Sequence, residues 1–267
     1  MKKLALVCLL AAAVPSLAAL ITAHSDATPT GAVVDGVLGP GEYGNGAYQY
    51  LGAGTGFGGV VGNGALYMDS DAGNLYIGFQ PGGNLNDNVV IMLDTRAGGF
   101  LDADMRDRAD GGRRGASEQC LEADDAYPAG VFPDFAVVIG SFGIVLFELT
   151  AGSTDGHLNF LNYDGTFTGN GTNFREYAIP LATLGRSVPG CIKFFVPYIS
   201  DSGYASNESI PPYDPLQLNG NPGFGDGQFG GTVGTPGYGN HNEFCVYPEP
   251  TSLALLGLLA GLVMRRR

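Results

Sequence analysis

FAVVIGSFGIVLFEL, at Phe135–Leu149, is the stretch that decides the fold. β-branched and aromatic residues dominate it, and residues of these types are enriched in strands. The glycines in its middle are typical of a tight turn between two extended segments. The stretch therefore predicts two consecutive strands joined by a glycine-containing turn.

Short apolar runs of the same kind recur between about residues 33 and 246, separated by Gly, Asn and Asp. No apolar stripe with a 3.6-residue period and helical length appears among them. The further predicted strands are Ala65–Asp69, Asn74–Gln80, Asn88–Asp94, His157–Tyr163, Asn173–Leu181 and Cys191–Ile199. Many short strands with regular turn signals are typical of a sandwich or barrel. We therefore expect an all-β fold with antiparallel strands, a sandwich or a barrel.

The composition agrees with this class and restricts the partners. Glycine supplies 44 of the 267 residues and charged residues only 15%, so turns are favoured over long helices. The net charge is −13, and a negative surface repels polyanions. Nucleic acid is therefore excluded as a partner, while divalent cations would be attracted.

The N-terminus has the three parts of a secretory signal peptide. Lys2 and Lys3 form a positive start, Leu4–Ala13 is an apolar run, and small residues follow up to Ala23. This order predicts a signal helix over residues 1–23 and export of the chain.

Three cysteines remain after the leader, which holds Cys8: Cys120, Cys191 and Cys245. In an oxidising compartment two of the three can pair. Cys191 opens a strand-like run and Cys245 precedes the C-terminal tail, so Cys191–Cys245 is the candidate disulfide. A zinc site is disfavoured, because no two cysteines have C-x-x-C spacing and histidines are scarce.

Leu101–Gly130 is a polar, charge-mixed insertion between predicted strands. Its closely spaced carboxylates are Asp102, Asp104, Asp107 and Asp110. Calcium takes several oxygen ligands from a curled loop, so these residues are a candidate Ca²⁺ site. Arg106 and Arg108 lie among them as competing salt-bridge partners, and the spacing is not that of an EF-hand. We expect a self-neutralised loop, with calcium as the alternative and no other cofactor.

Two glycine-rich segments lead to different structural predictions. GTGFGG, at Gly54–Gly59, fits the dinucleotide-binding pattern, but no helical pattern follows it, so we expect no nucleotide site. Leu218–Asn240 is of low complexity. It predicts that residues 218–246 form a flexible spacer or loop after a folded domain spanning residues 28–217.

Catalytic motifs are absent, whereas sugar binding has candidates. The sequence has no G-x-S-x-G motif, and its histidines are His24, His157 and His241. A glycosidase-type carboxylate pair stays open, because any acidic chain offers such pairs. Tryptophan is absent, so an aromatic sugar platform would use tyrosines in loop-like segments. These are Tyr43, Tyr48, Tyr50, Tyr204 and Tyr213. The same tyrosines are equally typical of the rim of a sandwich.

The chain ends in PEPTSLALLGLLAGLVMRRR, residues 248–267, which has three parts. Pro248, Glu249 and Pro250 prevent a helix from continuing upstream. The apolar part, Thr251–Met264, spans about 21 Å as a helix, against a hydrocarbon core of about 30 Å. Its anchoring side chains are Leu253, Leu255, Leu256, Leu258, Leu259, Leu262 and Val263, and the basic end is Arg265, Arg266 and Arg267. We expect a short hydrophobic helix with its basic end on the cytoplasmic side.

This tail closely resembles the C-terminal sorting signal of PEP-CTERM proteins. The resemblance covers about the last twenty residues and implies export through the Sec translocon and transient insertion into the inner membrane. It further implies recognition by an exosortase, a sorting transpeptidase. Cleavage near Pro248–Pro250 would release the protein to the cell surface or exopolysaccharide matrix.

The body resembles DOMON-like and carbohydrate-binding-module-like sandwiches in two places. VVDGVLGPGEYG (Val33–Gly44) is similar to their opening strand, and REYAIPLATLG (Arg175–Gly185) to a later strand and turn. The matching residues are Asp35, Gly36, Leu38, Glu42, Glu176, Ile179, Pro180, Leu181, Leu184 and Gly185. They imply an antiparallel β-sandwich of the jelly-roll or DOMON-like type and no ligand. SNESIPP (Ser206–Pro212) resembles a segment common in PEP-CTERM proteins of this kind, with no role implied.

The sequence therefore predicts an exported surface or matrix protein with a structural or adhesive role and no enzymatic activity. Residues 1–23 are the signal peptide, 28–217 the sandwich, 218–246 the spacer and 247–267 the sorting tail. A carbohydrate-binding protein is the alternative, and a secreted hydrolase comes after it.

Overall fold

The structure, a computed structural model, describes residues 23–25, 31–44, 49–99, 107, 109–117, 130–149, 158–186, 190–212, 221, 223 and 241–246. The strands found there are β1 (Ala23–Ser25), β2 (Gln49–Leu51), β3 (Ala65–Ser70), β4 (Asn74–Gln80), β5 (Asn88–Asp94), β6 (Phe135–Gly140), β7 (Gly143–Leu149), β8 (Leu158–Asp164), β9 (Arg175–Pro180), β10 (Gly190–Ile199), β11 (Ala205–Ile210) and β12 (Asn242–Val246). One short helix, α1 (Gly111–Ser117), lies between β5 and β6 in this part of the chain.

The strands form two sheets. The larger has the order β1-β12-β10-β5-β6-β7-β8, with β11 also paired to β10, and the smaller has the order β2-β3-β4-β9. The strand pairs are antiparallel except β1–β12, which is parallel. The expectation of an all-β fold with antiparallel sheets is confirmed, and every strand predicted from an apolar run is present within two residues of its predicted ends.

Both sheets contribute to one hydrophobic cluster. Leu66 and Ile77 of the smaller sheet belong to it together with Ile91 and Val137 of the larger sheet, and all four are buried. Because successive residues of a strand point to opposite faces, this cluster takes alternate residues of each strand. The two sheets therefore share one buried apolar cluster.

The opposite, outer face of the larger sheet is also apolar. Val90, Val138 and Phe147 form a second buried cluster there, together with Ala116 of α1. The sequence of a strand that is buried on both faces is a nearly continuous apolar run. This explains why β5, β6 and β7 show hardly any polar alternation in the sequence.

Buried carboxylates connect distant segments to the sheets, and Glu176 on β9 is the first. Its Oε2 accepts hydrogen bonds from the amides of Asp35 (2.9 Å) and Gly36 (2.6 Å), and its Oε1 accepts one from the Tyr43 hydroxyl (2.9 Å). Gly36 has φ of 81°, a region that favours glycine. The two segments that resemble DOMON-like proteins therefore meet at one hydrogen-bonded junction, although Val33–Gly44 forms bends and turns and not the opening strand that the resemblance implied.

Two further buried carboxylates, Glu208 on β11 and Asp134 before β6, also accept hydrogen bonds from backbone amides of distant segments. The carboxylate of Glu208 accepts from the amides of Gly59 (2.7 Å), Val61 (2.9 Å) and Gly62 (2.9 Å). Asp134 accepts from the amides of the Thr95–Arg96 segment at 2.8 and 2.9 Å and from the Arg96 guanidinium at 3.1 Å. Ser206–Pro212, to which the resemblance assigned no role, thus supplies most of β11 and the carboxylate that holds the loop before β3.

The C-terminal strand differs from the sequence-based domain division. Asn242–Val246 was expected within the spacer, yet it forms β12 and pairs with β10 and β1. The segment NEFCV places Phe244 and Val246 in the shared core on alternate positions, which is the pattern of a half-buried strand. At the other end, β1 begins at Ala23, the last residue of the predicted signal peptide.

Residues 1–22 and 247–267 lie outside the described residues, and so do the predicted terminal helices, the sorting motif, the apolar anchor and the basic end. Among the residues that are described, no helix combines the length and hydropathy needed to cross a membrane.

Candidate binding cleft

A cleft of about 390 Å³ opens on the outer face of the larger sheet, between the start of α1 and strands β7 and β8. Its lining residues are Asp110, Gly111, Gly112, Arg113, Phe142, Val145, Phe147, Phe160 and Asp201. Concave sites with a mostly apolar floor and a few convergent polar groups are the usual form of a small-ligand site. We therefore take this cleft as the candidate functional site.

Aromatic rings form the floor of the cleft. Phe147 and Phe160 pack edge to face, with ring centroids 6.3 Å apart. Phe147 is buried, whereas Phe160 is 50% exposed and Tyr163 beside it 49%. The Tyr163 hydroxyl donates to the carbonyl of Phe142 at 2.6 Å, which fixes the rim of the aromatic surface. Half of the Phe160 side chain is thus available to a ligand.

A bulge in β8 creates this aromatic surface. Phe160 lies opposite Phe147 and Tyr163 lies opposite Val145, although Phe160 and Tyr163 are three residues apart. In a regular strand, residues separated by an odd number point to opposite faces. The register shift between Leu146 and Phe147 leaves one extra residue in β8, so that both aromatic residues oppose outer-face residues.

Charged groups form the wall of the cleft. Asp110 directly precedes α1, and its side chain accepts a hydrogen bond from the amide of Arg113 at 2.8 Å, a typical N-cap contact. The Arg113 guanidinium lies over the Phe147 ring, 5.3 Å from its centroid, and pairs with Asp107 at 2.5 Å. On the other side, Oδ1 of Asp201 accepts from Asn88 at 3.0 Å. The wall thus offers carboxylates and a guanidinium next to an aromatic floor.

The predicted calcium ligands are only partly visible, since Asp102 and Asp104 lie outside the described residues. Asp107 and Asp110 are both close to Arg113, at 2.5 Å and 3.5 Å. A calcium ion shared by these two carboxylates would have to displace the guanidinium. Among the described residues the competing arginine is therefore Arg113, on α1, while Arg106 and Arg108 lie outside the described part of the chain.

The structure brings different aromatic residues together from those that the sequence suggested. Tyr43 and Tyr50 are buried, Tyr204 packs against Phe57 with centroids 6.0 Å apart, and Tyr48 and Tyr213 lie outside the described residues. The burial of Tyr43, and its contact with Glu176, raise the pKa of its hydroxyl above the usual range. The exposed rings of the β6–β8 region are Phe142, Phe160 and Tyr163, and the alternation of Asn with aromatic residues in LNFLNYD was the available signal for the last two.

The glycine-rich segment Gly54–Gly59 is explained by the fold. A loop and then β3 follow it, not a helix. The amide of Gly59 donates a hydrogen bond to the carboxylate of Glu208, and the amide of Thr55 donates one to the side-chain oxygen of Asn207 at 3.0 Å. These amides serve contacts within the protein, in place of the phosphate contacts that the motif makes in nucleotide-binding folds.

A disulfide joins Cys191 of β10 to Cys245 of β12, the pair that the sequence suggested. The two residues are direct partners in the antiparallel register. Glu243 lies on the same side of β12 as Cys245, and the next pair on that face of the ladder is Lys193 with Glu243. This part of the outer face is polar, in contrast to the cleft.

No protein-family model matches this chain, and no curated protein matches it closely enough to count as a relative. The likeness to PEP-CTERM and DOMON-like proteins therefore depends on the motifs quoted above.

Proposed function

We propose that this chain is an exported bacterial surface or exopolysaccharide-matrix protein with an adhesive role, and that the aromatic cleft is its contact with carbohydrate. In this proposal the two sheets are the halves of a jelly-roll or DOMON-like sandwich. A signal helix precedes them, and a short hydrophobic helix belongs to a PEP-CTERM-type sorting tail recognised by an exosortase.

The cleft is the observation that carries the adhesive role. The CH groups of a pyranose ring pack well on an aromatic face, and its hydroxyl groups need hydrogen-bond partners at the edge. Phe160 offers such a face, and Asp110 and Asp201 offer acceptors on the adjacent wall. The large buried carboxylates Glu176 and Glu208 are occupied by backbone amides, which supports a structural use of much of the acidic content.

Binding of purified protein to an array of bacterial and plant polysaccharides tests this role. Phe160→Ala should weaken binding to any bound glycan by about tenfold, which corresponds to about 1.4 kcal/mol, because it removes the apolar face on which the sugar would pack. Phe132→Ala is the matched control, since Phe132 is similarly exposed, at 39%, and does not line the cleft. Equal losses in both variants, or none in Phe160→Ala, would contradict a sugar site in the cleft.

The sorting proposal is supported by the three-part tail and the signal peptide, and it has a separate test. Replacing Pro248, Glu249 and Pro250 by alanines should leave uncleaved protein in the inner membrane. Fractionation of cells that carry an exosortase would show this. Release of the variant at the wild-type rate would overturn the sorting role without affecting the cleft.

A secreted hydrolase is the second candidate, favoured by the two carboxylates Asp110 and Asp201 on the wall of the cleft. Turnover of a polysaccharide that is abolished by Asp201→Asn, with binding retained, would replace the adhesive role by this one.

A further inference from the structure

The disulfide lies within a set of metal-ligating side chains assembled by the register of two strands. Cys191 and Cys245 oppose each other across the β10–β12 pair, and Glu243 precedes Cys245 by two residues. Residues two apart on a strand share a face, so Glu243 points to the same side as Cys245. One ligand atom from each of the three residues lies within 4.8 Å of the others.

We propose that Cys191, Cys245 and Glu243 form a zinc site when the disulfide is reduced. The same pair of sulfur atoms then has two exclusive states, a disulfide without metal and a dithiolate that binds Zn²⁺. This site is independent of the sugar cleft and of the sorting tail.

The ligand set suits zinc. Zn²⁺ takes thiolate sulfur and carboxylate oxygen in tetrahedral geometry, and three protein ligands leave one position open to water. Two thiolates and one carboxylate carry three negative charges. The ammonium of Lys193, which is the ladder partner of Glu243 and is held to the carbonyl of Gly130 at 2.7 Å, offsets part of this charge.

A second observation points to the same place. His241 is nine-tenths buried, and its Nε2 lies 3.8 Å from Oε1 of Glu243. Among the described residues this nitrogen has no hydrogen-bond partner. Carboxylate ligands of metals are usually held by a hydrogen bond from a second residue. The buried Nε2 beside Glu243 makes His241 the residue that would supply this bond when Glu243 binds the metal.

The change of state requires a reductant, and a dithiol of the kind found in thiol–disulfide exchange is sufficient. One thiolate of the dithiol attacks the sulfur of Cys191, the exposed partner, and the sulfur of Cys245 leaves as a thiolate. The second thiol of the dithiol then closes its own disulfide and releases Cys191. Two electrons pass from the dithiol to the pair, and Zn²⁺ displaces the two protons from the resulting thiols.

The site is hidden in the sequence because its ligands are far apart. Cys191 and Cys245 are separated by 54 residues, so the C-x-x-C spacing that identifies most zinc sites is missing. The sequence disfavoured zinc on that ground. The ladder between β10 and β12 supplies the proximity that spacing normally provides.

Zinc binding by the full chain tests the proposal. Cys8→Ser and Cys120→Ser in the same chain ensure that the measured thiols are those of the pair. We expect about one Zn²⁺ per reduced chain in a competition titration and none per oxidised chain. Co²⁺ in place of Zn²⁺ should give a thiolate-to-metal charge-transfer band only after reduction.

Glu243→Gln separates a three-ligand site from a simple dithiol. Its oxidised form keeps the disulfide, so folding can be checked before reduction, and its zinc affinity should be at least about tenfold weaker. Glu148→Gln is the control, a carboxylate of the same sheet that pairs with Arg96, and it should leave the affinity unchanged. The proposal is overturned by absence of zinc from the reduced chain, by equal binding to the oxidised chain, or by unchanged affinity in Glu243→Gln.

Discussion

Glu208 shows how much one side chain contributes at the residue scale. Its buried carboxylate accepts hydrogen bonds from three backbone amides of the loop before β3. Glu208→Ala leaves these donors without an acceptor in a buried place, so we expect the free energy of unfolding to fall by about 3 kcal/mol. Urea denaturation followed by circular dichroism measures this change.

Asn207→Ala is the control for that substitution. The neighbouring side chain accepts one exposed amide, that of Thr55, at 3.0 Å. Its loss should cost only about 0.5 kcal/mol. Similar costs for the two variants would show that the carboxylate of Glu208 does not hold the loop.

Glu176 gives a pH dependence of defined sign. Its burial raises the pKa of the carboxyl, although hydrogen bonds from Gly36, Tyr43 and Asp35 act in the opposite direction. A carboxyl whose pKa is higher in the folded state contributes stability that is complete below the unfolded pKa, about 4.3, and is lost as pH rises through the folded value. The unfolding free energy of wild type relative to Glu176→Gln should therefore be greater at pH 4 than at pH 7.

Parallel urea titrations of the two proteins at both pH values test this sign. A relative stability that instead grows toward pH 7 would mean that the three hydrogen bonds outweigh burial.

For single residues, the sequence identified the structurally important positions but did not predict which residues they contact. Asp35, Gly36 and Glu176 stood out by their resemblance to sandwich motifs and were expected to be structural. Their mutual contact was not predicted, because a separation of 141 residues leaves no local pattern. The Glu208 contacts were missed for the same reason.

At the scale of elements, β12 depends on its link to β10. Replacing Cys191 and Cys245 together by alanine removes a crosslink that spans 54 residues. In the chain-entropy model this lowers the unfolding free energy by about 4 kcal/mol. We expect the melting temperature to fall, and amide hydrogens of β12 and β1 to exchange faster while those of β6 and β7 remain protected.

Cys120→Ser provides the comparison, because this cysteine is not part of the pair. If it lowers stability as much as the double substitution, the crosslink is not the source of the effect.

Prediction of elements succeeded where burial is continuous and failed where strands are short or polar. β5, β6 and β7 are buried on both faces, so their sequences are unambiguous. β2 has three residues, β11 reads ASNESI, and β12 follows a long glycine-rich segment. These strands form because they pair with neighbouring strands, and such pairing depends on tertiary structure that a local sequence pattern does not show. The bulge in β8 was equally hidden, since one extra residue leaves no composition signal.

For the whole molecule, the folded unit should end at Val246. Phe244 and Val246 lie in the core shared by both sheets, so a chain ending at Asn240 loses buried apolar contacts and the partner of β1. Removing one large buried side chain costs about 3–5 kcal/mol. A chain ending at Val246 should melt like the full chain, whereas one ending at Asn240 should be unfolded or aggregated. Cooperative melting of the shorter chain at the same temperature would contradict this boundary.

The cleft could not be read from the sequence because three distant segments form it. The start of α1, the β7–β8 pair and Asp201 meet only through the larger sheet. The sequence offered tyrosines in loop-like segments as an aromatic surface. In the fold, Tyr43 and Tyr50 are buried, so they are not available at the surface.

The position of the disulfide has a mechanical consequence. Cys245 precedes the last described residue, Val246, and Pro248 follows two residues later. Any tension applied through the C-terminal tail enters the protein at this end of β12. The covalent bond passes that load directly to β10, an inner strand of the larger sheet, so the hydrogen bonds of β12 do not have to carry it. A shear flow that pulled on the tail would therefore strain the centre of the sheet before it could peel β12 and β1 away from β10.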